Sequence, residues 1–194
     1  VVSILIHFFH TACFMFMFLE SLHMYSIVAS VVKRNGMLSK CQNLSLGWII
    51  PAGITLITIG LQFENYGGEY HCWLRMDTHL AYAQIGPIAI LMVMTFTLIE
   101  AAGVADYGSL KDADMSQLLS AKISQRTNLI IMPLVFTSFM LGTLSEYEQN
   151  LPLYAIFTII NGVLGAVVFF FHSTGNEQIR RKLSNLYAMV FKKD

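Results

Sequence analysis

The sequence predicts an all-α membrane protein with five spanning helices, on three observations. Of 194 residues, 55% are hydrophobic and only 12% are charged, against about 25% charged in an ordinary soluble domain. Five long stretches, 1–32, 44–61, 78–99, 127–145 and 149–176, hold a single charge among them, Glu20. Each approaches or exceeds the roughly 20 apolar residues that cross a bilayer as a helix, and all are much longer than a strand of about 4–8 residues. The segments flanking them also differ in charge: four fit one orientation, and the loop after the third span, with Asp106, Lys111, Asp112 and Asp114 and then Lys122 and Arg126, is ambiguous. A formal net charge of zero, with no stripe of lysine and arginine, gives no surface for nucleic acid.

Charge orients the chain, because short loops rich in Lys and Arg stay in the cytoplasm. The loop after the first span carries Lys33, Arg34 and Lys40, and the tail carries Arg180, Arg181, Lys182, Lys192 and Lys193. The loops after the second and fourth spans are acidic, with Glu64, Glu69 and Asp77 in one and Glu146 and Glu148 in the other. The first residue is therefore expected outside and the C-terminus inside. Cys72 then falls outside, Cys41 inside and Cys13 in mid-span, so no pair forms within this chain. Asn43-Leu44-Ser45 fits the glycosylation pattern but falls on the inner side, where we read it as chance.

In order, the first helix is expected over 1–32 and an inner loop over 33–43. The helix holds His7 and His10, expected as interhelical hydrogen-bonders, and Glu20, His23 and Ser26 at three-residue spacing on one face. An acid within a span is costly and usually finds a partner in the protein interior. Glu20 is thus a packing group, a polar switch or, third, a proton relay. The second helix is expected over 44–61. Pro51 kinks it or marks its irregular part, Gly47 and Gly53 allow close approach, and Trp48 is an interfacial anchor or a packing residue. An outer loop over 62–77 contains "ENYGGEYHCWL".

The third helix is expected over 78–105, with a kink at Gly86-Pro87, and an inner loop over 106–121 whose second half could extend the next helix. The fourth helix is expected over 122–145 with Pro133 inside it, and an outer loop over 146–151. The fifth is expected over 152–174, opening on Pro152, a favoured first-turn residue. Asn161 in mid-span needs a hydrogen bond across helices or to a distorted turn. Gly175-Asn176 ends this helix. In the tail, 175–194, Ile179, Leu183, Leu186, Tyr187 and Val190 recur at helical spacing among basic residues, which reads as an amphipathic helix on the inner membrane surface or as a frayed basic tail. The chain opens inside an apolar helix without a methionine, which reads as the edge of a span in a longer protein.

No soluble-enzyme signature occurs: no Walker A pattern, G-x-S-x-G elbow, H-E-x-x-H or clustered Cys-His spacing. Nothing in the sequence calls for a cofactor or a metal, and the isolated Glu20 is thin support for intramembrane catalysis.

In order and spacing, "HFFHTACFMFMFLESLHMY", "GWIIPAG", "YGGEYHCWL", "GPIAI" and "LPLYAIFTIINGVLGAVVFFFH" followed by "NEQIRRKL" resemble the adhesion G-protein-coupled receptors. The likeness runs from their third transmembrane helix to the short helix after the seventh. It implies a partial seven-transmembrane bundle with five spans present and the first two absent, at the plasma membrane. It implies a heterotrimeric G protein as partner, membrane lipid around the bundle, and a tethered agonist with an extracellular adhesion domain outside this chain. It also implies that Cys72 pairs with a cysteine at the top of the third helix, just upstream of Val1. Trp73 resembles the loop tryptophan that caps the cavity and touches the agonist; from the residues alone it is equally an interfacial anchor.

Phe139, Phe157 and Asn161 match positions that line the core on the ligand side. Glu20 matches the inner polar network, His23, Met24 and Tyr25 the G-protein-facing motif, and Gly165 a place where the seventh helix bends. The chain departs from the family at Ser138-Phe139, where Thr-Trp is usual, at Leu164, where glutamine is usual, and at Thr95, where asparagine is frequent. These departures motivate a second reading, a weakly signalling or non-signalling membrane anchor of a cell-adhesion protein.

Overall fold

The computed structural model describes residues 1–28, 37–67, 75, 79–104, 115–175, 182, 184–187 and 189. Cys72, Trp73 and most of the tail therefore lie outside the described residues. Five helices follow in order: α1 (Val2–Val28), α2 (Lys40–Gln62), α3 (Leu80–Val104), α4 (Met115–Glu148) and α5 (Leu151–Gly175). A short 3-10 turn, Phe63–Asn65, closes α2. All five helices are long and apolar enough to cross a membrane, and no strand occurs among the described residues.

Several boundaries differ from the expected ones, and each difference has a local cause. The second helix begins four residues before its apolar run. Ser39 Oγ accepts from the Gln42 amide at 3.3 Å and Gln42 Oε1 accepts from the Ser39 amide at 2.9 Å. This reciprocal capping box satisfies two otherwise unpaired amides at the helix start. Helix α4 begins at Met115 rather than 122, taking in the second half of the expected loop as the extension that the sequence allowed. Its 34 residues rise roughly 50 Å, more than the ~30 Å hydrocarbon core. It also runs on to Glu148, leaving a two-residue link in which Gln149 takes a φ of 49°. That left-handed conformation is uncommon outside glycine and turns the chain at once into α5.

The helices alternate in direction. Helix α1 sits at the centre, packed on α2, α3 and α4, while α5 lies along α4. Three layers of side chains stack along α1. At the end where the chain begins, called here the Val1 end, Leu80 packs with Ile6, Tyr66 and Phe157. In the middle, Phe14, Ile88 and Phe139 form a second cluster. At the Val28 end, Met24, Val28, Ile99, Ala102, Ala121 and Met132 form the third. Gly47 faces the Phe16 ring so closely that a Cβ there would overlap it, so α2 sits hard against α1. Trp48, 42% exposed, stacks on Phe8 and meets Phe16 edge-on. No residue of Leu151–Phe170 is buried among the described residues.

Hydroxyls within the helices bond back to their own backbone: Thr11 to the His7 carbonyl, Thr58 to Ile54, Thr95 to Leu91 and Thr158 to Tyr154. In hydrocarbon a hydroxyl needs such an acceptor, and the carbonyl four residues back is within its reach.

Candidate functional site: three polar nodes along the bundle

At the Val28 end, Ser124 Oγ of α4 donates to Glu20 Oε1 of α1 at 2.7 Å. A carboxylate held this way keeps a strong, charge-assisted bond in a half-buried place. Nearby, Gln125 Nε2 donates to the Ile99 carbonyl of α3 at 3.4 Å. Gly103 makes room for it, since a Cβ there would lie 2.8 Å from Gln125 Nε2. The three neighbours of Glu20 in the sequence motif part company. His23 is exposed, Met24 is buried in the Val28-end layer, and Tyr25 packs half-buried against that layer. Ser26 Oγ donates to the His23 carbonyl at 2.7 Å and accepts from the Met37 amide at 3.3 Å. It therefore ties the chain entering α2 back onto α1.

The middle node joins α4 and α5. Ser138 Oγ donates to Asn161 Oδ1 at 2.9 Å, and Asn161 Nδ2 donates to the Phe157 carbonyl at 2.9 Å. Asn161 thus bonds across helices and to its own helix at once. Phe139, next to Ser138, is 2% exposed. Its ring meets Phe14 at 5.8 Å and His10 at 5.9 Å, both edge-on, a favoured aromatic geometry. Phe157 lies one turn before Asn161 and reaches the Leu80 cluster. Phe139 and Asn161 thus stand at the middle of the bundle, and Phe157 belongs to the Val1-end layer. Gly165 stands apart, exposed, with open space where a side chain would be.

At the Val1 end, His7 was expected to hydrogen-bond between helices, while its partner and the buried Gln84 beside this node were not legible. His7 Nδ1 and Tyr66 Oη lie 2.9 Å apart, joining α1 to the segment after α2. Burial pushes the Tyr66 phenol above its ordinary value, partly offset by a hydrogen bond with Thr58. Across the bundle, Tyr154 Oη of α5 donates to Glu146 Oε2 of α4 at 2.8 Å. Gln84 is fully buried, and neither atom of its amide has a protein partner among the described residues; His7 Nε2 is in the same position. Leaving such groups unpaired costs about 1–3 kcal/mol each. The only signal for Gln84 was a lone amide in an apolar run, which periodicity does not distinguish from a surface position.

No group of three His, Cys, Asp or Glu side chains placed to hold a metal occurs among the described residues. The chemistry on offer is hydrogen bonding between helices, which fixes or releases their relative positions.

Residues 1–168 match the family described as 7 transmembrane receptor (Secretin family). Cadherin EGF LAG seven-pass G-type receptor 1 of Homo sapiens is 28% identical over 187 residues, which cover 96% of this chain and 6% of that protein. Adhesion G-protein coupled receptor D1 of Bos taurus is 27% identical over 182 residues, 93% of this chain and 20% of the relative. Adhesion G protein-coupled receptor L1 of Bos taurus is 25% identical over 182 residues, 93% of this chain and 12% of the relative. The chain spans at most 20% of the length of these relatives.

Proposed function

The chain belongs to the secretin family of seven-transmembrane receptors, and on that premise we propose that it passes an extracellular signal to a heterotrimeric G protein. It is a multi-pass membrane receptor protein and not an enzyme. In this reading the protein lies in the plasma membrane with Val1 outside and the C-terminus inside, as the loop charges suggest. The activating group is a tethered peptide released by an extracellular adhesion domain, entering from the Val1 end. There the buried Gln84 amide and His7 Nε2 offer bonds to polar groups of a peptide. Phe157 shares their end of the bundle, Phe139 and Asn161 lie below, and Trp73 serves as the cap with Cys72 as the anchor of its loop.

The observation that carries this reading is the single bond between Glu20 and Ser124. It joins the central helix to α4 at the end we assign to the cytoplasm, so it favours a closed inner face. A ligand shifts the population only by binding the open state better than the closed one. Breaking the inner bond lowers what the ligand must supply. His23, Met24, Tyr25 and the bend at Gly165 belong to the same inner end in this scheme.

Replacing Glu20 with glutamine keeps an acceptor but removes the charge. Hydrogen bonds to charged groups exceed neutral ones by about 1 kcal/mol, a change of about fivefold in the open population. Glu20→Gln is expected to raise basal guanine-nucleotide exchange severalfold at equal surface level. Unchanged basal and stimulated exchange would sink the role given to Glu20. Normal surface delivery and cell adhesion with no exchange in either form would favour the second reading, a non-signalling anchor. Phe139, which stands where the family usually has tryptophan and is closed in by Phe14 and His10, is the feature that keeps that reading open.

A further inference from the structure

Between α2 and α3 a crevice of about 250 Å³ opens sideways out of the bundle. Its floor is Thr11 and Met15 of α1, both buried. Pro51 and Ile54 of α2 form one wall, and Pro87 and Leu91 of α3 form the other. Ile50 and Ile90 stand on the rim, 39% and 63% exposed. No polar atom faces the space, because the Thr11 hydroxyl is turned to the His7 carbonyl at 2.9 Å. Each wall carries a proline, which lacks an amide hydrogen and crowds the preceding turn of its helix. Both prolines line the crevice.

We infer that this crevice holds the end of an acyl chain from a bilayer phospholipid, bound in preference to the lipid that merely surrounds the bundle. Depth is the first argument. Pro51 is the middle residue of the 23 in α2, so the crevice lies near the centre of a hydrocarbon layer about 30 Å thick. Headgroups and water do not reach that depth, and chain ends do. Size is the second argument. An apolar cavity of about 150 Å³ already takes up benzene, and this crevice, at about 250 Å³, has room for the end of an alkyl chain. Wall chemistry is the third. With no donor or acceptor on offer, the site gains nothing from a hydroxyl, a headgroup or a peptide bond. A seated chain end would hold α2 and α3 apart at their two prolines.

The test uses the protein purified from membranes and reconstituted in phosphatidylcholine vesicles whose acyl chains end in a photoreactive diazirine. After illumination the labelled residues are mapped by mass spectrometry. Label is expected on Met15, which is 5% exposed and lines the crevice. Ile54→Trp fills the space and should abolish the Met15 label, and Leu91→Phe provides the same test should the tryptophan variant fail to fold. Ile57→Trp, on the exposed side of α2, should leave the Met15 label unchanged. Label spread over Leu56, Ile57 and Val93 with none on Met15 would overturn the proposal. So would loss of the Met15 label on adding sterol to the vesicles.

Discussion

Single residues carry most of the chemistry here, and they differ in how openly the sequence announced them. Glu20 was conspicuous because a charge in a span demands a partner. The partner, Ser124, was hidden, because nothing in the sequence sets the register of α4 against α1. Asn161 is the same case: its need for a bond was legible, and Ser138 as the donor was not. Ser138→Ala should leave Asn161 Oδ1 without its cross-helix donor and cost about 1 kcal/mol. Asn161→Leu also removes the bond to the Phe157 carbonyl and should cost more. Thermal unfolding in a fixed micelle, read for both variants, checks that order. Equal melting points for Ser138→Ala and the unmodified protein would mean that the bond contributes nothing.

At the scale of elements, the five helices were readable from apolar length alone, and their ends were not. Hydropathy is blind to a capping box, so α2 was expected to begin at 44 although Ser39 and Gln42 already turn the backbone into a helix. The extension of α4 beyond its apolar run was allowed by the sequence, but its start at Met115 was not fixed, because Lys122 and Arg126 dilute the apolar average. Close approach was half legible. Gly47 was read as a contact glycine, but Phe16 as its neighbour needed the structure. Gly47→Leu is expected to push α2 off α1 and disturb the stacking of Trp48 on Phe8. Overpacking of this kind costs about 1–3 kcal/mol, so surface expression and thermal stability should both fall. Gly53→Leu, placed where a Cβ meets nothing, should be tolerated in the same assays.

Across the whole molecule, α1 is the hub and the three layers stacked on it make α1, α3 and α4 one body. Helix α5 is attached along one side only, mainly to α4, and shows no buried residue among those described. The fold class followed from composition and span count, because the bilayer admits few alternatives. The three polar nodes did not, because each joins residues far apart in the chain. Orientation is a property of the whole chain and has a simple check. Cys41 is exposed at the start of α2, at the end we assign to the cytoplasm. A membrane-impermeant thiol reagent should leave it unmodified in intact cells and label it once the cells are permeabilised.

The central claim is that the bond between Glu20 and Ser124 restrains α4 and that G-protein engagement releases it. A pair of spin labels tests this directly, one on native Cys41 of α2 and one on Arg126→Cys of α4, with Cys13→Ser to remove the competing thiol. The distance distribution should move outward when nucleotide-free heterotrimeric G protein is added, and Glu20→Gln alone should move part of the population the same way. One unchanged distribution in all three conditions would contradict the account.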